Sequence, residues 1–391
     1  MPCWITPTDC RAQDLAALIR TPTDPRDYPL AQRITRGIPV YSSDPAWTPL
    51  AAPSTRRALQ TEWQTCLQHG PGVLILTAAV PADAVNAAGD VFRQLIAAQH
   101  NAGRPVGDHF AQPGANDRIW NAHQKLALHS PEIFCNYYAS RPIAAVCEAW
   151  LGPAYQLTSQ VNVVNPGAEA QAPHRDYHLG FMTDRQAAAY PAHVHTLSPL
   201  LTLQGAVAHS DMPLASGPTQ VLPYSQRYPA GYLAWRNPAF QTLFADHHVQ
   251  LPLATGDAIF FNPALLHAAG ANRTDDTRRM ANLLQISSAF GRAMERLDRR
   301  AMIRALYPAL ARRHAAGATV QQLDPIIAAG AEGYPFPNDL DAHPPRDGLA
   351  PATDADITRY ALTAGWSEAA FATALEAGAA PPISPPQGSP R

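Results

Sequence analysis

The sequence predicts a mainly β core, a sandwich or barrel, with helices packed around it (α+β). Short strand-like runs follow one another between residues 155 and 290, broken by Pro, Gly, Asn and Asp. Helical patterns lie on both sides of that stretch. Hydrophobic residues make up 46% of the 391 residues and charged residues only 15%, well under the usual quarter and enough to bury a sizeable core.

Each element follows in chain order. Residues 1–69 read as an arm: a Pro-, Asp- and Thr-rich stretch with one short helix near Ala12–Arg20, then a helix opened by Pro53 and Ser54 and stopped at His69-Gly70. VLILT (73–77) is a fully apolar strand. Pro81-Ala-Asp opens a helix that runs to about His100 and ends near Gly103. The polar segment GDHFAQPGANDRIWNAHQ follows, and the helix RPIAAVCEAWLG closes at Gly152. The expected strands are YQLTSQVNVV, LTLQGAVAHS, TQVLPYS, HHVQLPL, AIFFNPALLH and RRMANLLQISSAF. From Ala293 the pattern returns to helix. RAMERLDRRAMIRALYPALARRHAAG is basic and reads as a surface helix, and DADITRYALTAGWSEAAFATALEAG is helical again. The expected division is an arm (1–69), a core with its leading helices (70–292), a helical extension (293–379) and a disordered tail (380–391).

Several function classes drop out. A net charge of −2 gives no electrostatic case for nucleic acid or an anionic membrane. No apolar run reaches the ~18 residues of a membrane span. The first residues lack a basic then apolar signal pattern, so the chain reads as soluble and cytoplasmic. Five cysteines, far apart and with no CxxC pair, make neither a zinc ribbon nor a disulfide framework.

The chemistry lies in APHRDYHLGF. In a strand, residues i and i+2 share a face, so His174 and Asp176 present an imidazole and a carboxylate side by side. Two histidines and a carboxylate form the facial triad of non-haem iron(II) oxygenases, with the opposite face open. His-x-Asp alone is unspecific, and so is a histidine at a strand end. The third ligand must come from far along the chain, and His267, after the turn Gly256-Asp257 and the strand AIFF, is the best candidate. Arg278 lies eleven residues further on, beyond a turn holding Asn272 and Asp275-Asp276. A returning strand would set its guanidinium in the same barrel, where it could grip a carboxylate through two parallel hydrogen bonds. Arg279 beside it is the alternative, because neighbours on a strand face opposite ways and only one can point inward.

These features together resemble the phytanoyl-CoA dioxygenase family. His-x-Asp, Gly-Asp-(apolar strand)-His and the Arg eleven residues on match its pattern, as do SGPTQVLPYSQRYPAGY and the lead-in RPIAAVCEAWLGP…QLTSQVNVVNPGA. The resemblance covers about residues 70–290. It implies a double-stranded β-helix (a jelly-roll, cupin-like core), Fe(II) held by His174, Asp176 and His267, and 2-oxoglutarate clamped by Arg278, with Gln160 and Gln204 near the cosubstrate. It implies O₂ as second cosubstrate and release of succinate and CO₂ as a C–H bond of a small molecule is hydroxylated. The sequence departs from the family in having Ala268-Ala269 after the distal histidine and Pro223-Tyr-Ser-Gln where the family has Pro-Gly-Ser-His. Tyr177, His178, Phe181, Trp120 and Arg118 are candidates for the substrate wall, each with ordinary packing as the bland reading. Two other functions stay open. His174, Asp176, His178, His209 and His267 could hold zinc for hydrolysis, or the barrel could bind a ligand without catalysis. No partner beyond a small molecule is indicated.

Overall fold

Alternation along the strands sorts their side chains into two layers. In β8 (Ala258–Phe261), Ala258 and Phe260 point to one face of the sheet and Ile259 and Phe261 to the other. Both faces are covered, which explains why AIFF and VLILT are apolar without interruption. The computed structural model describes residues 3–43, 50, 52–103, 114–335, 340–341, 344 and 350–378.

The remaining strands are β1 (Arg33–Thr35), β2 (Ile38–Ser42), β3 (Val73–Thr77), β4 (Asn116–Ile119), β5 (Gln156–Val164), β6 (Thr202–Ala208), β7 (Thr219–Val221), β9 (His267–Ala269) and β10 (Arg279–Ser287). Eight of them form one sheet in the order β1-β2-β3-β8-β6-β10-β5-β4, and β7 pairs with β9 in a two-stranded sheet. Only β2 and β3 run parallel among these pairs. Alternate residues of the large sheet, such as Leu157, Val161, Leu203, Val207, Leu284 and Ile286, bury against a helical layer. The opposite residues, with Val221, Leu251, Leu253 and Leu265, form a second apolar cluster on the side of β7 and β9.

Each expected strand at 73–77, 155–164, 201–210, 219–225, 258–267 and 278–290 contains an observed strand, but the fifth is strand only over Ala258–Phe261, with His267 opening the separate β9, and the last ends at Ser287. HHVQLPL is not a strand. It makes only isolated bridges, Val221 to Val249 and Met212 to Leu253, because Pro252 has no N–H to continue a ladder. Strands β1, β2 and β4 were not anticipated. β1 and β2 are a hairpin closed by Arg36-Gly37, both at positive φ (50° and 82°), the geometry of a tight two-residue turn. They extend the main sheet, so part of the expected arm belongs to it.

The helices carry more of the chain than the β texture implied. The basic segment expected as a surface helix is helical only over Arg299–Ala315 and is an inner element. Met302, Ile303, Leu306, Tyr307 and Leu310 are fully buried, and Tyr307 stacks on Phe371 at 3.9 Å between centroids. Its arginines had masked an apolar stripe; Arg312 and Arg313 pair with Glu132 at the margin of that packing. A helix at Val320–Gly330 was missed, and the last helical stretch is two helices broken at Gly365. The expected tail lies outside the described residues. No helix among the described residues is long and apolar enough to cross a membrane, and all five cysteines are free.

Candidate metal centre

His174 and His267 face each other across an isolated antiparallel bridge, with His174 N–H donating to His267 O (3.0 Å) and His267 N–H to His174 O (3.2 Å). That main-chain pair sets the two rings side by side, centroids 4.5 Å apart. Each ring is fixed by its own neighbourhood. Nδ1 of His174 lies 2.8 Å from Ala172 O, and Nδ1 of His267 lies 2.9 Å from Leu265 O. A carbonyl only accepts, so Nδ1 carries the proton in both rings and Nε2 keeps its lone pair. Asp176, two residues after His174, places Oδ1 3.6 Å from His174 Nε2 and Oδ2 3.4 Å from His267 Nε2. The three donor groups lie within 4.8 Å of one another, the one such cluster among the described residues. Burial would raise the Asp176 carboxyl, but the Gln204 amide donates to Oδ2, and a hydrogen bond to the charged form favours it. The centre therefore offers two imidazole nitrogens and an ionised carboxylate, a set that suits iron(II).

Arg175, between the two candidate ligands, faces the other way. Its buried guanidinium donates to Ser225 O (2.6 Å) and Tyr228 O (3.1 Å) and lies 5.2 Å from the Tyr232 ring. Burial lowers its pKa to about 10. This cation pins the segment that carries His174 and Asp176 to the chain around Gly231, where an added Cβ would stand 1.8 Å from the guanidinium carbon. Gly231→Ala is therefore expected to destabilise the protein by about 1–3 kcal/mol and to weaken metal binding in parallel. A thermal midpoint equal to that of the unsubstituted protein would refute the anchoring role.

The triad opens on a cavity of about 190 Å³ whose walls are β5, β6 and β10 on one side and β9 on the other. Strand parity decides which arginine enters it. Arg279, Ala281, Leu283 and Gln285 line the cavity, while Met280, Leu284 and Ile286 pack against the helices. The expected Arg278 is not in the cavity. It precedes β10, is exposed, and pairs with Asp117 (2.5 Å) and Asn165 (3.1 Å) on the far side of the sheet. Arg279 takes the inward position because the turn that Asn272 ties, through Nδ2 to Val164 O and Thr277 O, brings the strand into register one residue later than the spacing suggested. Arg279 is 6% exposed. Nη1 donates to Ser216 O (2.8 Å) and Gly270 O (3.1 Å), and among the described residues no acidic group pairs with it. Desolvation alone lowers its pKa to about 10.

The other expected residues divide. Gln204, on β6, donates from Nε2 to Asp176 Oδ2 at 2.6 Å. Gln160 lines the cavity but accepts from Arg118, whose guanidinium lies 4.6 Å over the Trp120 ring. Arg118, Trp120 and Phe181 are on the cavity wall, Phe181 at its exposed mouth. Tyr177 and His178 are not: both have positive φ (60° and 30°), a turn that buries the Tyr177 side chain and sends His178 Nδ1 to Ser198 Oγ at 3.0 Å. His209 is also elsewhere, buried against Tyr137 with Nε2 2.8 Å from its hydroxyl. Neither histidine can join a zinc site with the triad. Sequence reasoning missed Gln285 and Met294 on the wall, and Glu295, which accepts from Asn121 N–H at 2.6 Å and ties the turn after Trp120.

Dioxygenase FrzG from Cladobotryum sp is 32% identical over 126 residues, 31% of this chain and 37% of that protein, so the chain matches about a third of the length of that curated relative. Among solved structures, the non-heme alpha ketoglutarate dependent epimerase SnoN from nogalamycin biosynthesis has 20% identity and a TM-score of 0.43, covering 61% of this chain and 82% of that one. The carbocyclase SnoK from the same biosynthesis has 18% identity and a TM-score of 0.41, covering 61% and 84%. The family model "Phytanoyl-CoA dioxygenase (PhyH)" matches residues 69–280, more than half of the chain and the whole of the candidate metal centre, and the chain belongs to that family.

Proposed function

We propose that the chain is an iron(II)- and 2-oxoglutarate-dependent dioxygenase that hydroxylates a C–H bond of a small metabolite. The observation that carries this reading is Arg279, a buried cation without an acidic partner among the described residues, on the wall of the cavity that holds the triad. A buried charge needs a counter-charge, and the distal carboxylate of 2-oxoglutarate supplies one. His174, Asp176 and His267 would hold the metal, and their fit rests on the two fixed Nε2 lone pairs and the ionised carboxylate. When bound, iron(II) supplies the activation of dioxygen, coupled to oxidative decarboxylation of the keto acid to succinate and CO₂. Arg279 orients the keto acid so that its other end faces the triad. The apolar lining from Phe261, Met212 and Leu253 excludes water from that end. Arg118, Trp120, Phe181 and Met294 form the substrate wall in this reading. We read the large sheet and the β7–β9 pair as the two walls of a double-stranded β-helix, since the cavity lies between them.

The test is succinate release from 2-oxoglutarate across a panel of small metabolites, with Fe(II) and ascorbate and with Zn(II) as control. Succinate with iron and none with zinc is expected. No iron binding and no succinate with any substrate would overturn the proposal. The zinc alternative loses support because His178 and His209 lie away from the triad.

A further inference from the structure

We infer that Gln204 fixes how many oxygens Asp176 can give to the metal, an inference that rests on the function proposed above. Both carboxylate oxygens face the centre, Oδ1 toward His174 and Oδ2 toward His267. A carboxylate so placed can bind a cation through one oxygen or both. Gln204 removes the choice, since its amide N–H holds Oδ2 at 2.6 Å. The amide cannot turn over, because its carbonyl would then face an ionised carboxylate. The side chain is itself 3% exposed and sits on the middle of β6, flanked by β8 and β10, so the backbone that aims it is rigid. Oδ1 is left as the ligand atom.

The consequence is a matter of counting positions. An octahedral metal held by three protein donors would keep three positions for other ligands. A chelating keto acid would need two of these, leaving one for dioxygen. An aspartate bound through both oxygens would take a fourth position, and the keto acid would have to compete with Oδ2 for it. Gln204 is thus a positioning residue that acts through Asp176. Its loss should leave metal binding intact, or tighten it through the added oxygen, while keto-acid binding weakens.

The experiment compares the unsubstituted protein with Gln204→Met, which keeps length and removes the donor, and Gln204→Leu as a second variant. Metal affinity is read by equilibrium dialysis with Mn(II). Keto-acid affinity is read by anaerobic titration of the Fe(II)-loaded protein with 2-oxoglutarate, following the visible charge-transfer band of the chelate. Thermal unfolding checks that each variant is folded. The expected result is unchanged or tighter metal binding with a roughly 10–100-fold weaker keto-acid affinity, the factor that corresponds to the lost hydrogen bond to a charged group that had kept Oδ2 from competing. Keto-acid affinity equal to that of the unsubstituted protein overturns the inference. So does a folded variant that loses metal and keto acid in parallel, since Gln204 would then only orient Asp176. If the unsubstituted protein binds neither metal nor keto acid, the proposed function itself falls and this inference with it.

Discussion

His174→Ala is expected to abolish iron(II) binding and turnover while leaving the fold intact. The fold survives because what ties His174 to His267 is a main-chain pair, N–H to O in both directions, which alanine keeps. The ring is partly exposed, and its Nδ1 bonds a carbonyl only two residues away. Its removal therefore opens no large cavity in the core. The metal loses one of three donors, a greater loss than the roughly 10–100-fold that follows from losing a group that merely orients a ligand. Iron retained after desalting, the circular-dichroism spectrum and the unfolding midpoint are the measurements. Iron retained at the level of the unsubstituted protein would refute the ligand assignment, and a collapsed spectrum would make His174 a core residue instead.

The candidate triad was legible because it needs little beyond strand periodicity. His174 and Asp176 share a face by parity, and the Gly-Asp turn before AIFF marks the strand that delivers His267. The arginine was legible only to within one residue. Spacing favoured Arg278, whereas parity along β10, with Met280, Leu284 and Ile286 on the helix side, places Arg279 in the cavity. Both faces of that strand are covered, so the hydrophobic pattern alone does not tell the core side from the cavity side. Met294 and Glu295 were illegible because they reach Gln160 and Asn121 through tertiary packing, with no local periodicity to announce it. The buried helix Arg299–Ala315 was misplaced for a different reason. Its charge count dominates a stripe of five apolar residues, and the stripe is what sets its position.

Arg279→Gln is expected to weaken 2-oxoglutarate binding by about 10²–10⁴-fold, the factor that corresponds to losing roughly 3–5 kcal/mol when one partner of a buried charge pair is removed. The substitution keeps an amide donor for Ser216 O and Gly270 O and deletes the charge. Without keto acid that charge is a liability, because burial alone disfavours it and no acidic group among the described residues offsets it. The ligand-free variant should thus unfold at an equal or higher temperature than the unsubstituted protein, so a loss of binding cannot be ascribed to a damaged fold. Pyruvate, a keto acid without a distal carboxylate, supplies the second arm. Its weak binding to the Fe(II)-loaded protein should be the same before and after the Arg279→Gln substitution, since nothing in it reaches the guanidinium. Arg278→Ala is the control. It breaks a pair with the buried Asp117, which keeps His100 as a partner, on the face of the sheet away from the cavity, and should leave keto-acid affinity unchanged. If Arg278→Ala weakens 2-oxoglutarate while Arg279→Gln does not, the clamp is the outer arginine and the parity argument fails. If Arg279→Gln weakens pyruvate as much as 2-oxoglutarate, the guanidinium shapes the cavity rather than holding a carboxylate.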